Sequence, residues 1–340
     1  MKNAILVAGA LLCGGVLLAQ DNEGTVAQKG TNLTGNIHQI GVENDALVDQ
    51  KGLSNTGLVH QNGEYNEATI NQMALSAYNT ATIDQLGISG ESTTTQSGIS
   101  NTSSVLQKNT AVSNFSDNTQ EGVGNTFSSE QEGGFDNSIW MSQVGVSNNA
   151  EIAQNGSNNT TIDGSVQSGS NNHLYIDQIG DGNSTLTIQS GGALGNTIDI
   201  DQEGNNNESY NLQSGGLAWS AGGAYEPPLI HFPTNSFASN NDVTTRQEGE
   251  SNMSLTQQAG DGNNIVQSQL GSGSEDNFSG IVQDGVDNTA TDYQMGDENY
   301  AATNQYGTNS SSATTQLGVS HYSATLQSGA NHTATVLQEN

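Results

Sequence analysis

The sequence holds one cysteine, three prolines and only five basic residues in 340. The cysteine, Cys13, lies in an N-terminal leader, so a chain cleaved after that leader carries no thiol. Disulfides, a cysteine nucleophile and thiolate metal ligands are excluded with it. Five Lys+Arg face 35 Asp+Glu, for a formal net charge of −30. Without a basic stripe a polyanion has nothing to grip, and nucleic acid is excluded as a partner. Aromatic residues make up 5% and hydrophobic residues 32%, too little for a conventional single core at this length. With 42 glycines, two outcomes remain. The chain is disordered, or it is a repeat architecture whose core is built one thin layer at a time.

Long apolar runs are also missing, with one exception. Ala4 to Ala19 is apolar behind Lys2, the pattern of a secretory signal and shorter than a comfortable membrane span. Cleavage near Ala19 or Gln20 is expected to leave a mature chain that starts around Asp21. Ala10-Leu11-Leu12 before Cys13 lacks the small residue that lipid attachment wants just before the cysteine. The expected organisation is a signal peptide at 1–20, a short segment at 21–27, repeats at 28–213, an inserted loop at 214–240, and repeats again at 241–340.

What the chain does have is a clock of glutamines. Gln28, Gln39, Gln50, Gln61 and Gln72 stand eleven residues apart. The series continues at Gln85, Gln96, Gln107, Gln120, Gln131, Gln143, Gln154, Gln167, Gln178, Gln189, Gln202 and Gln213. After a gap it resumes at Gln247, Gln258, Gln269, Gln283, Gln294, Gln305, Gln316, Gln327 and Gln338. Two residues after the glutamine there is usually glycine, as at Gly41, Gly52, Gly63, Gly145, Gly156, Gly180 and Gly296. Six before it there is usually asparagine. Asn44, Asn55, Asn66, Asn79, Asn101, Asn114, Asn125, Asn137 and Asn148 are the first such positions. Asn172, Asn183, Asn196, Asn252, Asn263, Asn277, Asn288 and Asn299 follow. Where the interval lengthens to thirteen, as from Gln72 to Gln85, Asn79 keeps its distance from Gln85 and the extra residues fall before it. Insertions confined to one side mark Asn-x5-Gln as structured and Gln-x-Gly-x-x-Asn as a turn.

The structured half alternates. Asn66, Ala68, Ile70 and Gln72 share one face at period two, with Glu67, Thr69 and Asn71 on the other, which is strand periodicity. The spacing therefore predicts an all-β, amyloid-like β-solenoid in which each unit is a strand and a tight turn. Two strands make a rung of about 22 residues, and twelve to thirteen rungs at ~4.8 Å make a rod about 60 Å tall. No capping helix or terminal domain is apparent in the sequence, so both ends are expected to present uncovered edge strands that template head-to-tail polymerisation.

One strand buries roughly one small and one medium apolar side chain, worth ~2–4 kcal/mol. Ordering the residues costs on the order of 1–2 kcal/mol each, so no rung can stand alone. Stacked identical amides can satisfy each other along the axis. Stacked carboxylates would repel by about 3–4 kcal/mol per pair at ~4.8 Å and an effective dielectric near 20. The amides are expected inside and the 35 acids outside.

The unit Gln-x-Gly-x-x-Asn-x-Ala-x-x-x-Gln, at Gln61 to Gln72 and Gln143 to Gln154, resembles the curlin repeat of curli fibre subunits. The resemblance covers nearly all of the mature chain, Gln28 to Gln338. It implies export through an outer-membrane secretion pore, a periplasmic chaperone, and nucleation at the cell surface by a nucleator subunit. It further implies self-assembly into extracellular amyloid fibres of biofilm matrix, with Gln61, Asn66, Gln72 and their equivalents as a stacking ladder. There are departures. Both half-rungs tend to begin with Asn where the family often has Ser, the N-terminal targeting segment is short, and the array is long. Residues 214–240 also interrupt it with Pro227, Pro228, Pro233, Trp219, Tyr225, Phe232 and Phe237; a surface loop is expected there, with an adhesive patch as the alternative.

No enzyme is expected, because catalysis needs a unique constellation and this chain repeats. The six histidines, at 38, 60, 173, 231, 321 and 332, show no metal-ligand spacing along the chain, and no cofactor or metal is expected. The glycine-rich nonapeptide of calcium-binding β-rolls does not recur. Thr185-x-Thr187 occurs, but matching pairs do not recur at the 22-residue spacing that a flat ice-binding array needs. Two alternatives to a major fibre subunit stay open, a minor nucleator of the same fibre and a soluble solenoid adhesin using the insertion.

Overall fold

The computed structural model describes residues 21–73, 76–108, 111–162, 165–214, 238–271 and 275–339. The leader with Cys13, and the insertion's prolines and aromatics, lie outside the described residues. Those described form strands and short connections, with no helix among them.

The described residues fall into two compact units. The first runs to Ser165 and includes Ile176–Gly182; the second takes Val166–Tyr175 and everything from Asn183 onward. Strands of the first are β1 (Glu23–Thr31), β2 (Thr34–Val42), β3 (Asp45–Leu53), β4 (Thr56–Glu64), β5 (Glu67–Gln72) and β6 (Thr80–Gln85). It continues with β7 (Glu91–Ile99), β8 (Thr102–Gln107), β9 (Phe115–Val123), β10 (Thr126–Glu132), β11 (Ser138–Val146), β12 (Asn149–Asn155) and β13 (Thr160–Thr161). The second begins with β14 (Val166–Ser170); β15 (His173–Ile179) is divided between the units. There follow β16 (Ser184–Leu194), β17 (Thr197–Asn205), β18 (Glu208–Ser214), β19 (Ala238–Ser239), β20 (Asp242–Glu250), β21 (Met253–Asp261) and β22 (Asn264–Gln269). The last are β23 (Phe278–Val286), β24 (Thr289–Met295), β25 (Tyr300–Thr308), β26 (Ser311–Leu317), β27 (Tyr322–Ala330) and β28 (Thr333–Glu339).

Each unit is a parallel β-solenoid. In the first, β1, β3, β5, β7, β9 and β11 stack in one sheet and β2, β4, β6, β8, β10 and β12 in the other. In the second, β16, β18, β21, β23, β25 and β27 stack opposite β17, β20, β22, β24, β26 and β28. Pairing is in register from glutamine to glutamine, as in Gln28↔Gln50 and Gln50↔Gln72. The alternation explains why these segments are strands. Thr80, Thr82 and Asp84 of β6 are half-buried while Ala81, Ile83 and Gln85 are buried. The apolar part of the core is thin: Ala46, Val48, Ala68, Ile70, Ala81 and Ile83 in the early rungs, with Phe127 the bulkiest fully buried side chain among the described residues.

The turn differs from the one the spacing predicts. Many strands do not stop at the glutamine but run on, through Gly41 to Val42 in β2 and through Gly52 to Leu53 in β3, while β5, β6, β8 and β22 end at it. The residue in the left-handed region is the fourth after the glutamine, as at Glu43 (φ 54°), Ser54 (φ 54°) and Tyr65 (φ 58°). A single residue there suffices because the preceding glycine has already bent the strand. Gly41 has φ 116°, and a Cβ on it would lie 1.9 Å from the Gly63 carbonyl oxygen of the next rung. Successive backbones touch at this corner, and only glycine leaves room.

Longer intervals are absorbed at the same corner. Between Gln72 and Gln85 the strand ends early, the Ser76 N–H donates to the Met73 carbonyl at 3.2 Å, and Ala77 bridges Leu53 and Ile99. Rungs consequently vary in length: bonded glutamines are separated by 22, 23, 24 or 25 residues. The insertion is contained within one rung, since Gln202 and Gln247, 45 residues apart, are bonded at 2.7 Å.

Candidate functional site: amide columns in the core

Period two places the repeat glutamines on the inner face, where all but Gln28, Gln39 and Gln338 of the terminal rungs are buried and water cannot serve the amide. Each amide must then be satisfied by its neighbours. In the first unit, Gln28, Gln50, Gln72, Gln96, Gln120 and Gln143 form one column. Each Nε2 donates to the Oε1 one rung on, over 2.8–3.0 Å. Gln39, Gln61, Gln85, Gln107, Gln131, Gln154 and Gln178 form the column of the facing sheet at 2.9–3.0 Å. In the second unit the columns are Gln167, Gln189, Gln213, Gln258, Gln283, Gln305 and Gln327 and Gln202, Gln247, Gln269, Gln294, Gln316 and Gln338.

The second amide hydrogen has its own use. Gln50 Nε2 also donates to the Thr34 carbonyl at 2.8 Å and the Asn55 carbonyl at 3.3 Å. The amide ties the two sheets together at the corner. This cross-sheet role was not visible in the spacing.

The asparagines do a different job from the glutamines. Asn44 Oδ1 accepts the Asn66 backbone N–H at 3.1 Å and the Asn66 Nδ2 at 3.0 Å. Asn66 Nδ2 in turn donates to the Gly87 carbonyl at 3.0 Å. The same backbone contact links Asn55 to Asn79, Asn79 to Asn101, Asn101 to Asn125 and Asn125 to Asn148. It links Asn114 to Asn137, and in the second unit Asn172 to Asn196 and Asn183 to Asn207. It continues from Asn252 to Asn277 to Asn299 and from Asn263 to Asn288. Each asparagine caps a backbone N–H that the corner leaves without a strand partner, which is why a short amide, both acceptor and donor, stands there. Gly41, Gly52, Gly63, Gly145, Gly156, Gly180 and Gly296 all have φ between 109° and 149°.

One acid is not outside. Asp292 on β24 is fully buried, against the expectation that every carboxylate faces water. Its Oδ2 accepts the Ser279 hydroxyl at 3.1 Å and its Oδ1 the Thr303 hydroxyl at 3.4 Å. Burial pushes its carboxyl up to about 6, with hydroxyl hydrogen bonds acting the other way. Polar residues also occupy inner positions where the pattern reads apolar. Gln267 Nε2 donates to the Ser279 carbonyl at 3.0 Å, and Asn118 Nδ2 donates to the Ser103 hydroxyl at 2.9 Å. Hydroxyls serve these positions in both roles: Ser254 donates to Gln267 Oε1 at 2.9 Å, and Ser103 accepts from Asn118.

The columns have direction: those of the first unit begin, and the one through Gln338 in the second unit finishes, without a further glutamine. Gln28 and Gln39 donate forward but receive no amide. Gln338 Nε2 donates to the Tyr322 carbonyl at 3.0 Å and to no further glutamine. The first rung of the first unit thus offers glutamine acceptors, and the last rung of the second unit a glutamine donor.

Residues 134–162 match the family model described as the curlin associated repeat. The match spans β11 and β12, with Gln143, Asn148 and Gln154 inside it. No curated protein matches the chain. β11 pairs in register with β9, and β12 with β10, glutamine to glutamine. The finding supports the resemblance drawn from the spacing: this chain carries a curlin associated repeat, set in an array that keeps the same register.

Proposed function

We propose that this chain is a structural, non-catalytic subunit of an extracellular curli-type amyloid fibre. Copies add head to tail by cross-β stacking, and the fibre serves biofilm matrix and surface adhesion. The observation that carries this reading is the directional amide column: an edge that ends in glutamine acceptors at Gln28 and Gln39, and one that ends in a donor at Gln338. A second copy supplies what each edge lacks, in the register the rungs already use, and unpaired strand edges recruit such partners. Secretion through a pore, a chaperone that keeps the chain unstacked, and a nucleator belong to the same reading and rest on the family resemblance. Immunogold labelling of producing cells tests the location. Gold along extracellular fibres supports the proposal; label confined to the cell interior refutes it.

A further inference from the structure

His38 and His60 are 22 residues apart, the length of one rung. Stacking brings them together. They are register partners on β2 and β4, their rings lie 5.1 Å apart between centroids and 13° from parallel, and both stand on the outer face, next to the inward Gln39 and Gln61. One rung further, Asp84 of β6 is the register partner of His60. Its Oδ1 lies 2.9 Å from His60 Nδ1.

We propose that His38 and His60 form a surface site for a divalent transition-metal ion of the imidazole-preferring class, with Asp84 as the positioning residue behind His60. A carboxylate on Nδ1 holds the proton there and leaves the Nε2 lone pair free for a ligand; metal-binding histidines are commonly oriented this way. Copper and zinc both favour imidazole. Nitrogens at ~2.0–2.1 Å from one ion are at most about 4.2 Å apart. The two rings must therefore tilt their Nε2 edges toward each other. Outer-face side chains have that freedom: the His60 side chain is 39% exposed and His38 is exposed. Water completes the shell. The net charge of −30 raises the local concentration of cations. The other described C-terminal histidines are arranged differently, with His321 and His332 each placing Nε2 against a carbonyl of its own chain four residues back. A bound ion would staple β2, the edge strand of its sheet, to β4, and stabilise the stacked state in proportion to the logarithm of ion concentration over Kd.

The test is Cu²⁺ added to the full mature chain and read by electron paramagnetic resonance, which distinguishes nitrogen from oxygen ligands on a polyanion. The expected result is one ion coupled to two nitrogens. That coupling is lost in His38→Asn and in His60→Asn, while strand content by circular dichroism is unchanged, and Asp84→Ala weakens binding about tenfold. Copper held by oxygen ligands alone, a nitrogen signal that survives both histidine substitutions, or an affinity indifferent to Asp84→Ala overturns the proposal.

Discussion

The Ser279 hydroxyl donates to Asp292 Oδ2 at 3.1 Å inside the second unit, and this single contact shows how the core admits an acid. The carboxyl has hydroxyl donors but no cation, so burial holds it up to about 6. The sign follows from that shift. The folded rung keeps its proton to higher pH than the unfolded chain, whose carboxyl titrates near its ordinary value. The contribution of Asp292 to stability is therefore full below about pH 4, falls as pH rises toward 6, and stays lower above it, by on the order of 2–3 kcal/mol. Hydrogen exchange of Thr289–Met295 is expected to be more protected at pH 4.5 than at pH 7.5 once corrected for intrinsic rates. Asp292→Asn should abolish the difference and raise protection at pH 7.5. Equal pH dependence in the two proteins would refute the assignment.

Gly122 and Gly124 are two residues apart and predict opposite outcomes. A Cβ on Gly122 (φ 118°) would lie 2.0 Å from the Gly145 carbonyl oxygen, while one on Gly124 (φ 66°) meets only the Ser147 hydroxyl at 3.6 Å. Gly122→Ala should destabilise by about 2 kcal/mol or more, because backbone must move. Gly124→Asn should stay within about 0.5 kcal/mol, since Asn tolerates the left-handed region. Denaturant midpoints of the two variants check this.

Some buried hydroxyls have no partner. Thr245 Oγ1 is one, in a strand whose neighbour places Ile200 in register beside it. Thr245→Val keeps the shape and removes a desolvated polar group, so it is expected to stabilise by about 1 kcal/mol. A lower denaturant midpoint would show that the hydroxyl is satisfied in solution.

Glu23, Asp45, Glu67 and Glu91 form an in-register outer column, all exposed. Like charges one rung apart repel, and salt screens them. Assembly should quicken as salt is raised or carboxylates are protonated. Lag times in an amyloid-dye assay, measured across salt and pH, check this; insensitivity to both would contradict it.

How much of this was legible in advance depended on periodicity. A period of two inside a period of eleven is enough to read strands, the inner face of Gln72 and the stacking of rungs. It does not show what an inner polar residue bonds to. Asn66 and Gln72 both read as amides on one face, yet the Asn66 side chain bonds to Asn44 and a corner glycine carbonyl, while the Gln72 side chain bridges to the facing strand at the Thr56 carbonyl. The one-residue turn at Glu43 was hidden because glycine at Gly41 looks like the turn itself. Asp292 and Gln267 were hidden because their hydroxyl partners, Ser279 and Ser254, come from a different strand. His38 and His60 stand one 22-residue rung apart, so their stacking follows from the period; Asp84, 24 residues beyond His60, needed the structure to place it.

The amide requirement itself can be tested by charge. Gln72 Nε2 donates to Gln96 Oε1 at 3.0 Å, to the Thr56 carbonyl at 2.9 Å and to the Asn79 carbonyl at 3.2 Å. Gln72→Glu turns every donor into an acceptor and should cost about 3–5 kcal/mol. Gln61→Glu and Gln143→Glu should slow assembly likewise, and substitutions at the outward Glu67 or Thr69 far less. Equal effects would contradict the inside and outside faces.

The most direct measurement is electron microscopy with fibre diffraction on purified, denaturant-free mature protein after a day at micromolar concentration. The account predicts unbranched fibres with a meridional reflection at ~4.7–4.8 Å. A population of stable single particles that never elongates would contradict it.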